Sequence, residues 1–143
     1  MLKKNMLLLL LFCISILINC SKQNTNDVIA IRQASLDYIE GWYNGDAERM
    51  EKALHPSLVK RIITNPVTNS KLGELDKETM VNNTKYGGGK HVPKNNYKIE
   101  VKIFDIQKNI ASVMTKSEYT DYLHLGKFNN KWVIINVLWD FNR

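Results

Sequence analysis

The apolar residues of this chain follow two different periods, and the change between them comes near Pro93. Between residues 27 and 85 they recur every three or four positions in three segments, which is the spacing of amphipathic helices. After Pro93, apolar Ile99, Val101 and Ile103 alternate with lysine and glutamate. Such alternation is typical of half-buried strands. Helices followed by antiparallel strands predict a single α+β domain.

Residues at the helix ends set the predicted helix boundaries. The first helix begins at Asp27 and ends at Gly45, since glycine readily adopts the left-handed conformation found there. Asp46 can cap a second, shorter helix that ends before Pro56, and Asp76 can cap a third of about ten residues. The inner face of the first helix is predicted to hold Val28, Ile31, Ala34, Tyr38 and Trp42. The opposite face is predicted to hold Arg32, Gln33, Asp37 and Glu40.

The strands are predicted at residues 97–103, 109–118, 119–128 and 131–141, with only short extended stretches between residues 57 and 75. Asn129-Asn130 reads as a two-residue hairpin turn. An uninterrupted ladder from that turn predicts these pairs on one face: Lys127 with Trp132, Leu125 with Ile134, Leu123 with Asn136, and Asp121 with Leu138. Both faces of this hairpin are apolar, so one packs on the helices and the other is expected to meet a second copy of the chain.

The N-terminus has the layout of an export signal. Lys3 and Lys4 precede an apolar run over residues 6–18. That run is shorter than the roughly 20 residues that a membrane-spanning helix needs. Its end, Leu17-Ile18-Asn19-Cys20, resembles the lipobox of bacterial lipoproteins, with Asn19 in place of the usual Gly, Ala or Ser.

The lipobox resemblance implies cleavage before Cys20 and lipid on its sulfur. Each buried methylene contributes about 0.8 kcal/mol, so two or three acyl chains hold a protein stably on a membrane. The expected organisation is a signal peptide at 1–19, a lipidated tether at 20–26 and one domain at 27–143. We expect an exported protein, anchored in the bacterial cell envelope at the outer membrane and facing the periplasm. Ser21 agrees with this, since some inner-membrane lipoproteins carry Asp there.

Several segments of the mature chain resemble the nuclear transport factor 2-like family described as putative lumazine-binding. They are residues 38–50 (YIEGWYNGDAERM), 54–56 (LHP), 104–106 (FDI), 121–125 (DYLHL) and 131–139 (KWVIINVLW). The resemblance implies a cone of about three N-terminal helices packed on a curved antiparallel sheet of about four to six strands. It also implies a ligand pocket between the helices and the sheet. Families with this fold include isomerases, dehydratases, cyclases and binding modules, so the fold assigns no chemistry.

Polar and aromatic side chains on the predicted inner surfaces are the candidate ligand-binding residues. They are Tyr38, Trp42, His55, Arg61, Tyr119, Asp121 and Asn136. Asp121 is a candidate general base, or it is a strand-edge aspartate bound to backbone or to Arg61. His55 is a candidate acid or hydrogen-bond donor, or it satisfies the last carbonyls of a helix. The tryptophans at 42, 132 and 139 either stack on a flat ligand ring or fill the core.

The sequence does not have the residue patterns that other kinds of functional site require. The histidines at 55, 91 and 124 have no metal-ligand spacing, and lipidated Cys20 leaves the mature chain without a free thiol, so we expect no metal, disulfide or cofactor. Gly87-Gly88-Gly89-Lys90 lacks the strand and Ser/Thr of a phosphate loop. The net charge of +6 falls to +4 without Lys3 and Lys4. The remaining basic residues are scattered, which argues against a nucleic-acid partner.

Three functions remain open at this point. The first is a membrane-anchored, non-catalytic, homodimeric binding module for a small, partly apolar or aromatic ligand. The second is an isomerase or dehydratase that uses Asp121 as its general base, with a hydroxyl or imidazole donating to the developing oxyanion. The third is an envelope protein-interaction module that uses its outer sheet face.

Overall fold

The computed structural model describes residues 25–64, 70–96 and 98–142. Three α-helices are present in this part: α1 over residues 25–44, α2 over Ala47–Ala53 and α3 over Lys77–Lys85, followed by a 3₁₀ turn at Lys94–Asn96. No helix within these ranges is long and apolar enough to cross a membrane. The predicted signal peptide, Cys20 and most of the predicted tether lie outside the described residues. Thr25 and Asn26, at the end of that tether, are already helical.

Six strands form one sheet in the order β2-β1-β6-β5-β4-β3. Their bounds are β1 Leu54–Thr64, β2 Lys71–Leu75, β3 Glu100–Gln107, β4 Ile110–Lys116, β5 Tyr119–Phe128 and β6 Lys131–Phe141. The strand number agrees with the prediction, and the α+β class is confirmed. The sheet is mixed rather than wholly antiparallel, because β1 runs parallel to β6. The predicted start of the third strand at Tyr97 lies outside the described residues.

The capping residues are where the sequence predicts them. Gly45 has a φ of 62° at the end of α1, and the carboxylates of Asp46 and Asp76 accept backbone N–H groups three residues later, at 3.0 and 2.9 Å. The prediction that α2 continues to His55 is wrong, because α2 ends at Ala53 and Leu54 begins β1. His55 is therefore a strand residue and binds no helix carbonyl.

Strand β1 is a single element of 11 residues where only short extended stretches were predicted. Its pairing with β6 shifts between Leu54 and Val59, so the regular alternation of buried and exposed residues is broken near its start. Leu58, within the shifted region, and Lys60, beyond it, are both buried on the inner face. Because its pairing is irregular, this strand lacks the strict alternation of apolar and polar residues by which a strand is recognised in a sequence.

Helix α1 packs on the sheet with a broader face than predicted. Ile31, Ala34 and Tyr38 are buried as expected, whereas Val28 is 37 % exposed. Asp37 was predicted on the outer side, but it is only 4 % exposed. The reason is that α2 folds back against α1, and Arg49 of α2 pairs with the Asp37 carboxylate at 2.9 Å.

Asp27 fixes the start of α1 to the C-terminal hairpin. Its Oδ1 accepts hydrogen bonds from Lys127 Nζ at 2.7 Å and from Trp132 Nε1 at 2.9 Å. Burial alone would raise the pKa of Asp27, but the hydrogen bonds from Lys127 and Trp132 outweigh it and lower the pKa. A carboxyl whose pKa is lowered in the folded state stabilises the fold above its unfolded pKa of about 3.9, and this stabilisation is lost as the pH falls through the folded pKa.

Asp27→Asn is therefore expected to destabilise the domain at neutral pH and much less in acid. Hydrogen bonds to a charged group contribute about 1.5–3 kcal/mol, so we expect a loss of that size at pH 7. Urea unfolding at pH 7 and pH 3 measures it, with exposed Asp105→Asn as the matched control. A difference from wild type that stays constant between the two pH values would contradict the ionic role of Asp27.

The β5–β6 hairpin follows the predicted register only near its turn. Asn129 and Asn130 have φ values of 48° and 63°, as a two-residue hairpin turn requires, and the pairs Lys127–Trp132 and Leu125–Ile134 are confirmed. Farther from the turn, Ile135 is left without a partner in β5, because His124 pairs with Asn136.

Because of this bulge at Ile135, the β6 residues that follow it point to the face opposite to the one predicted. Leu123 pairs with Val137 and Asp121 with Trp139, not with Asn136 and Leu138 as predicted. Because side chains alternate between the two faces, a one-residue slip moves each of them to the other face. Val137 and Trp139 therefore point toward the helices, while Asn136 and Leu138 lie on the outer face of the sheet.

Candidate functional site

A cavity of about 110 Å³ lies between the helices and the inner face of the sheet. Its wall is formed by Tyr38, Ile39, Trp42, Lys60, Leu75, Met80, Asn83, Tyr119, Asp121, Trp139 and Phe141. Asn83 is exposed and Phe141 is 43 % exposed, so these residues mark its mouth. An engineered apolar cavity of about 150 Å³ binds benzene, so this one has room for a fragment of no more than about one small ring.

Four of the seven predicted binding residues line this cavity: Tyr38, Trp42, Tyr119 and Asp121. The other three, His55, Arg61 and Asn136, do not. His55 stacks on Phe128 with ring centroids 4.6 Å apart, and its Nδ1 accepts the backbone N–H of Ser57 at 3.1 Å.

Arg61 and Asn136 lie together on the outer face of the sheet. The Arg61 guanidinium binds Glu74 at 2.8 Å and the Asn136 side-chain oxygen at 3.1 Å. Arg61 faces outward because its neighbour Lys60 faces inward on the same strand, and Asn136 does so because of the bulge at Ile135. The prediction that these two residues line the pocket with Asp121 is wrong.

The inner end of the cavity carries a buried polar cluster made of Tyr38, Lys60, Thr115 and Asp121. Oδ1 of Asp121 accepts Lys60 Nζ at 2.6 Å and the Tyr38 hydroxyl at 2.8 Å, and Oδ2 accepts the Thr115 hydroxyl at 3.4 Å. Lys60 Nζ also donates to the Tyr38 oxygen at 2.5 Å. Asp121 is thus inward-facing as predicted, but its cationic partner is Lys60 and not Arg61.

Lys60 is a candidate site residue that the sequence analysis did not identify. Its side chain is 9 % exposed and its ammonium group lies 4.6 Å from the Trp139 ring centroid and 5.2 Å from that of Tyr38. Burial lowers the pKa of Lys60, and the nearby Asp121 carboxylate opposes that effect. The available signal was the pair Lys60-Arg61 within an apolar stretch, since consecutive strand residues point to opposite faces and one of the two must point inward.

Aromatic side chains from the end of the sheet form one wall of the cavity. Tyr119, Trp139 and Phe141 contact one another with ring centroids 5.3 to 5.4 Å apart. Burial, followed by the neighbouring Glu118 carboxylate, raises the pKa of Tyr119 to about 12. Burial and the Asp121 charge likewise raise the pKa of Tyr38 well above its usual value. Both hydroxyls are therefore protonated at neutral pH.

Trp42 is held at the cavity by the glycine turn after α3. Gly88 has a φ of 51°, and a Cβ there would collide with the Trp42 carbonyl oxygen. The Gly89 N–H donates to that same oxygen at 2.9 Å. The triple glycine therefore allows a close approach of backbone to α1, and the turn packs beside the cavity.

Lys60 and Trp139, two side chains of the cavity wall, carry N–H donors. An ammonium group has three N–H donors, and two of those on Lys60 are directed to Asp121 and Tyr38, which leaves one for a ligand. Trp139 Nε1 is buried, and no residue of the described ranges accepts its proton. No three His, Cys, Asp or Glu side chains of the described ranges cluster as metal ligands would.

Comparisons with known proteins identify the family and the fold. The family described as "Putative lumazine-binding" matches residues 26–140, while no curated protein matches the sequence. Among solved structures, a nuclear transport factor 2-like protein of unknown function from Silicibacter pomeroyi has a TM-score of 0.66 and 11% identity, covering 83% of this chain and 98% of its own. A second such protein, from Shewanella baltica, has a TM-score of 0.65 and 17% identity, covering 83% and 96%.

A ketosteroid isomerase-like protein from Erwinia carotovora atroseptica is similar as well, with a TM-score of 0.55 and 12% identity, covering 80% of this chain and 95% of its own. Identities this low show a shared fold and nothing of a shared reaction. The family match, by contrast, extends over almost all of the described residues. The protein therefore belongs to the family described as "Putative lumazine-binding" and has the nuclear transport factor 2-like fold.

Proposed function

We propose that this protein binds a small, partly apolar ligand that carries a hydrogen-bond acceptor such as a carbonyl oxygen. The observation that carries this proposal is an aromatic wall in one small cavity, together with Lys60, whose ammonium group keeps one donor, and Trp139, whose buried N–H has no acceptor within the described residues. A buried donor without an acceptor costs about 1–3 kcal/mol, and a bound acceptor removes that penalty. The aromatic wall suits a flat ligand, which is the shape that the family description also suggests.

The cavity volume limits the size of the ligand. At about 110 Å³, it suits a single ring or a short branched chain, since about 150 Å³ is occupied by one benzene. The two fused rings of a lumazine need more space, and they fit only if Phe141 and Asn83 at the mouth move apart. We therefore expect monocyclic carbonyl compounds to bind more tightly than lumazine.

Calorimetric titration with a graded series tests this proposal: acetamide, uracil, benzamide and lumazine. Trp139→Phe removes the unpaired N–H but keeps an aromatic ring, and it is expected to weaken binding about five- to tenfold, as the loss of one hydrogen bond does. Trp132→Phe is the matched control, because the Trp132 N–H binds Asp27 away from the cavity. Failure of the whole series to bind, or equal binding by both variants, would refute the proposal.

The same geometry favours binding over catalysis by Asp121. A general base must reach the proton it abstracts at about 2.6–3.2 Å, and Oδ1 of Asp121 is already engaged by Lys60 and Tyr38. The Asp121 carboxylate is thus arranged to hold Lys60 in place. An isomerase or dehydratase remains the alternative, and Asp121→Asn would then abolish turnover of a substrate that still binds.

We further propose that the mature protein is lipid-anchored through Cys20 at the outer membrane and faces the periplasm. The support comes from the charged start, the apolar run and the lipobox-like Leu17-Ile18-Asn19-Cys20. Metabolic labelling with an alkynyl fatty acid, followed by membrane fractionation, tests it. Cys20→Ser is expected to abolish labelling, while Cys13→Ser is expected to leave it unchanged. Labelling that persists in Cys20→Ser would exclude this anchor.

The outer face of the sheet is proposed to pair with a second copy of the chain. Ile63, Phe104, Tyr122 and Leu138 lie on it, each about half exposed, and the rings of Phe104 and Tyr122 stack with centroids 6.4 Å apart. Exposed apolar patches of this kind mark interaction surfaces. Sedimentation equilibrium is expected to show a dimer that Tyr122→Glu dissociates and Tyr86→Glu, far more exposed, does not. A purely monomeric protein would instead favour a different envelope partner.

A further inference from the structure

We propose that Lys60 captures a small aldehyde or ketone in the cavity as a Schiff base. The proposal rests on the binding function above and narrows its ligand class to reactive carbonyl compounds. The Lys60 side chain lines the cavity and is 9 % exposed. Its Nζ lies 2.6 Å from a carboxylate oxygen of Asp121 and 2.5 Å from the Tyr38 oxygen. A primary amine, a proton acceptor and a hydroxyl therefore meet at one point.

The surroundings favour the amine as a nucleophile. Lysine attacks a carbonyl only when neutral, and an apolar site disfavours the ammonium form. Burial lowers the pKa of Lys60, so a larger fraction of this amine is neutral at pH 7 than of a solvated one. The Trp139 and Tyr38 rings around it exclude bulk water, which would otherwise hydrolyse an imine.

Schiff-base formation on Lys60 needs no proton donor or acceptor from outside the buried polar cluster. The Lys60 ammonium gives a proton to Asp121, and the Nζ lone pair forms a bond to the carbonyl carbon while the C=O π pair moves to oxygen. A proton then passes from nitrogen to that oxygen, giving a neutral carbinolamine. Asp121 returns its proton to the hydroxyl, the C–O bond breaks, water leaves, and the nitrogen lone pair forms the C=N bond.

The product retains the charge balance of the cluster. A protonated Schiff base on Lys60 carries the positive charge that the ammonium carried, and Asp121 is again a carboxylate. No oxidant or reductant is needed. A buried carboxylate without a cation is strongly unfavourable. Asp121 is protonated in the intermediates between the ammonium and the protonated Schiff base, so it is never a carboxylate without a neighbouring cation.

Competitive reductive labelling of the full-length protein tests the proposal. The protein is incubated at pH 7 with propanal and cyanoborohydride, and peptide mapping then compares Lys60 with exposed Lys85 and Lys131 in the same sample. We expect Lys60 to react at least about tenfold faster, as a desolvated lysine beside a proton acceptor should. Equal or slower labelling of Lys60 overturns the proposal, and this comparison needs no variant that has to fold.

The variant Asp121→Asn tests whether Lys60 reacts because Asp121 accepts its proton or only because its amine is accessible. The variant is expected to slow Lys60 labelling and to shift its pH profile, while Lys85 labelling is unchanged; an unchanged Lys60 profile counts against the proposed proton transfer. Acetamide, which has a carbonyl oxygen but forms no Schiff base under these conditions, reports on the proposed binding function alone. If acetamide binds and Lys60 does not label, the covalent step is refuted and the binding function stands. If no member of the carbonyl series binds and Lys60 does not label, both fail.

Discussion

Replacing Lys60 by methionine is expected to lower the free energy of unfolding by about 3–5 kcal/mol, the usual result of removing one partner of a buried ion pair. Asp121 is 1 % exposed, so without Lys60 its carboxylate has no counter-charge and little access to water. The hydroxyls of Tyr38 and Thr115 remain as donors, but they carry no charge. Urea unfolding at pH 7 measures the loss, and exposed Lys85→Met is expected to change the stability by less than about 0.5 kcal/mol.

A second variant distinguishes the loss of charge pairing from the loss of packing. Lys60→Met combined with Asp121→Asn removes both charges and keeps the side-chain volumes similar, so we expect it to recover most of the stability lost by Lys60→Met alone. If the double variant is as unstable as the single one, the aliphatic stem of Lys60 and not its charge supports the fold. A single-variant loss below about 1 kcal/mol would show that the pair is hydrated in solution.

Deleting Leu138 is expected to destabilise the domain far more than deleting Ile135, although both residues belong to β6. Leu138 lies after the bulge, and its deletion would turn Trp139 from the inner to the outer face. Losing a large aromatic side chain from a packed position costs about 3–5 kcal/mol. Deleting the unpaired Ile135 instead closes the bulge and leaves Val137 and Trp139 facing inward.

Urea unfolding of the two deletion variants is the measurement, with tryptophan fluorescence as the signal. Each variant lacks one branched apolar residue of the same size, so each serves as the control for the other. We expect the Ile135 deletion to be more stable than the Leu138 deletion by at least about 3 kcal/mol, the lower end of the value for losing a large aromatic side chain from a packed position. Equal stability would mean that the ladder re-forms its register elsewhere.

Predictions from the sequence were accurate where the determinants are local. Asp46, Asp76 and Gly45 set their helix ends because a cap depends on a side chain and the next three backbone groups. Asn129-Asn130 set the hairpin in the same way. The parallel pairing of β1 with β6 joins residues about 80 positions apart in sequence, and no local pattern encodes it.

The candidate site was predicted in part for the same reason. Asp121 lies on β5, whose alternation is unbroken, so its inward direction was correct even though its predicted partner Leu138 was not. Asn136 lies beyond the bulge of β6 and was therefore assigned to the wrong face. Lys60 was missed because the irregular start of β1 conceals the strand, and because a lysine is expected at the surface unless a buried partner is known.

The bonds from Asp27 to Lys127 and Trp132 also determine how the domain responds to mechanical force. In the proposed anchored protein, tension from the membrane enters the domain through the start of α1. The ion pair passes that load directly into the β5–β6 hairpin at the middle of the sheet, so Asp27 and its partners must separate before α1 is peeled away. The helix that carries Tyr38 into the cavity is thereby shielded from movements of the anchor.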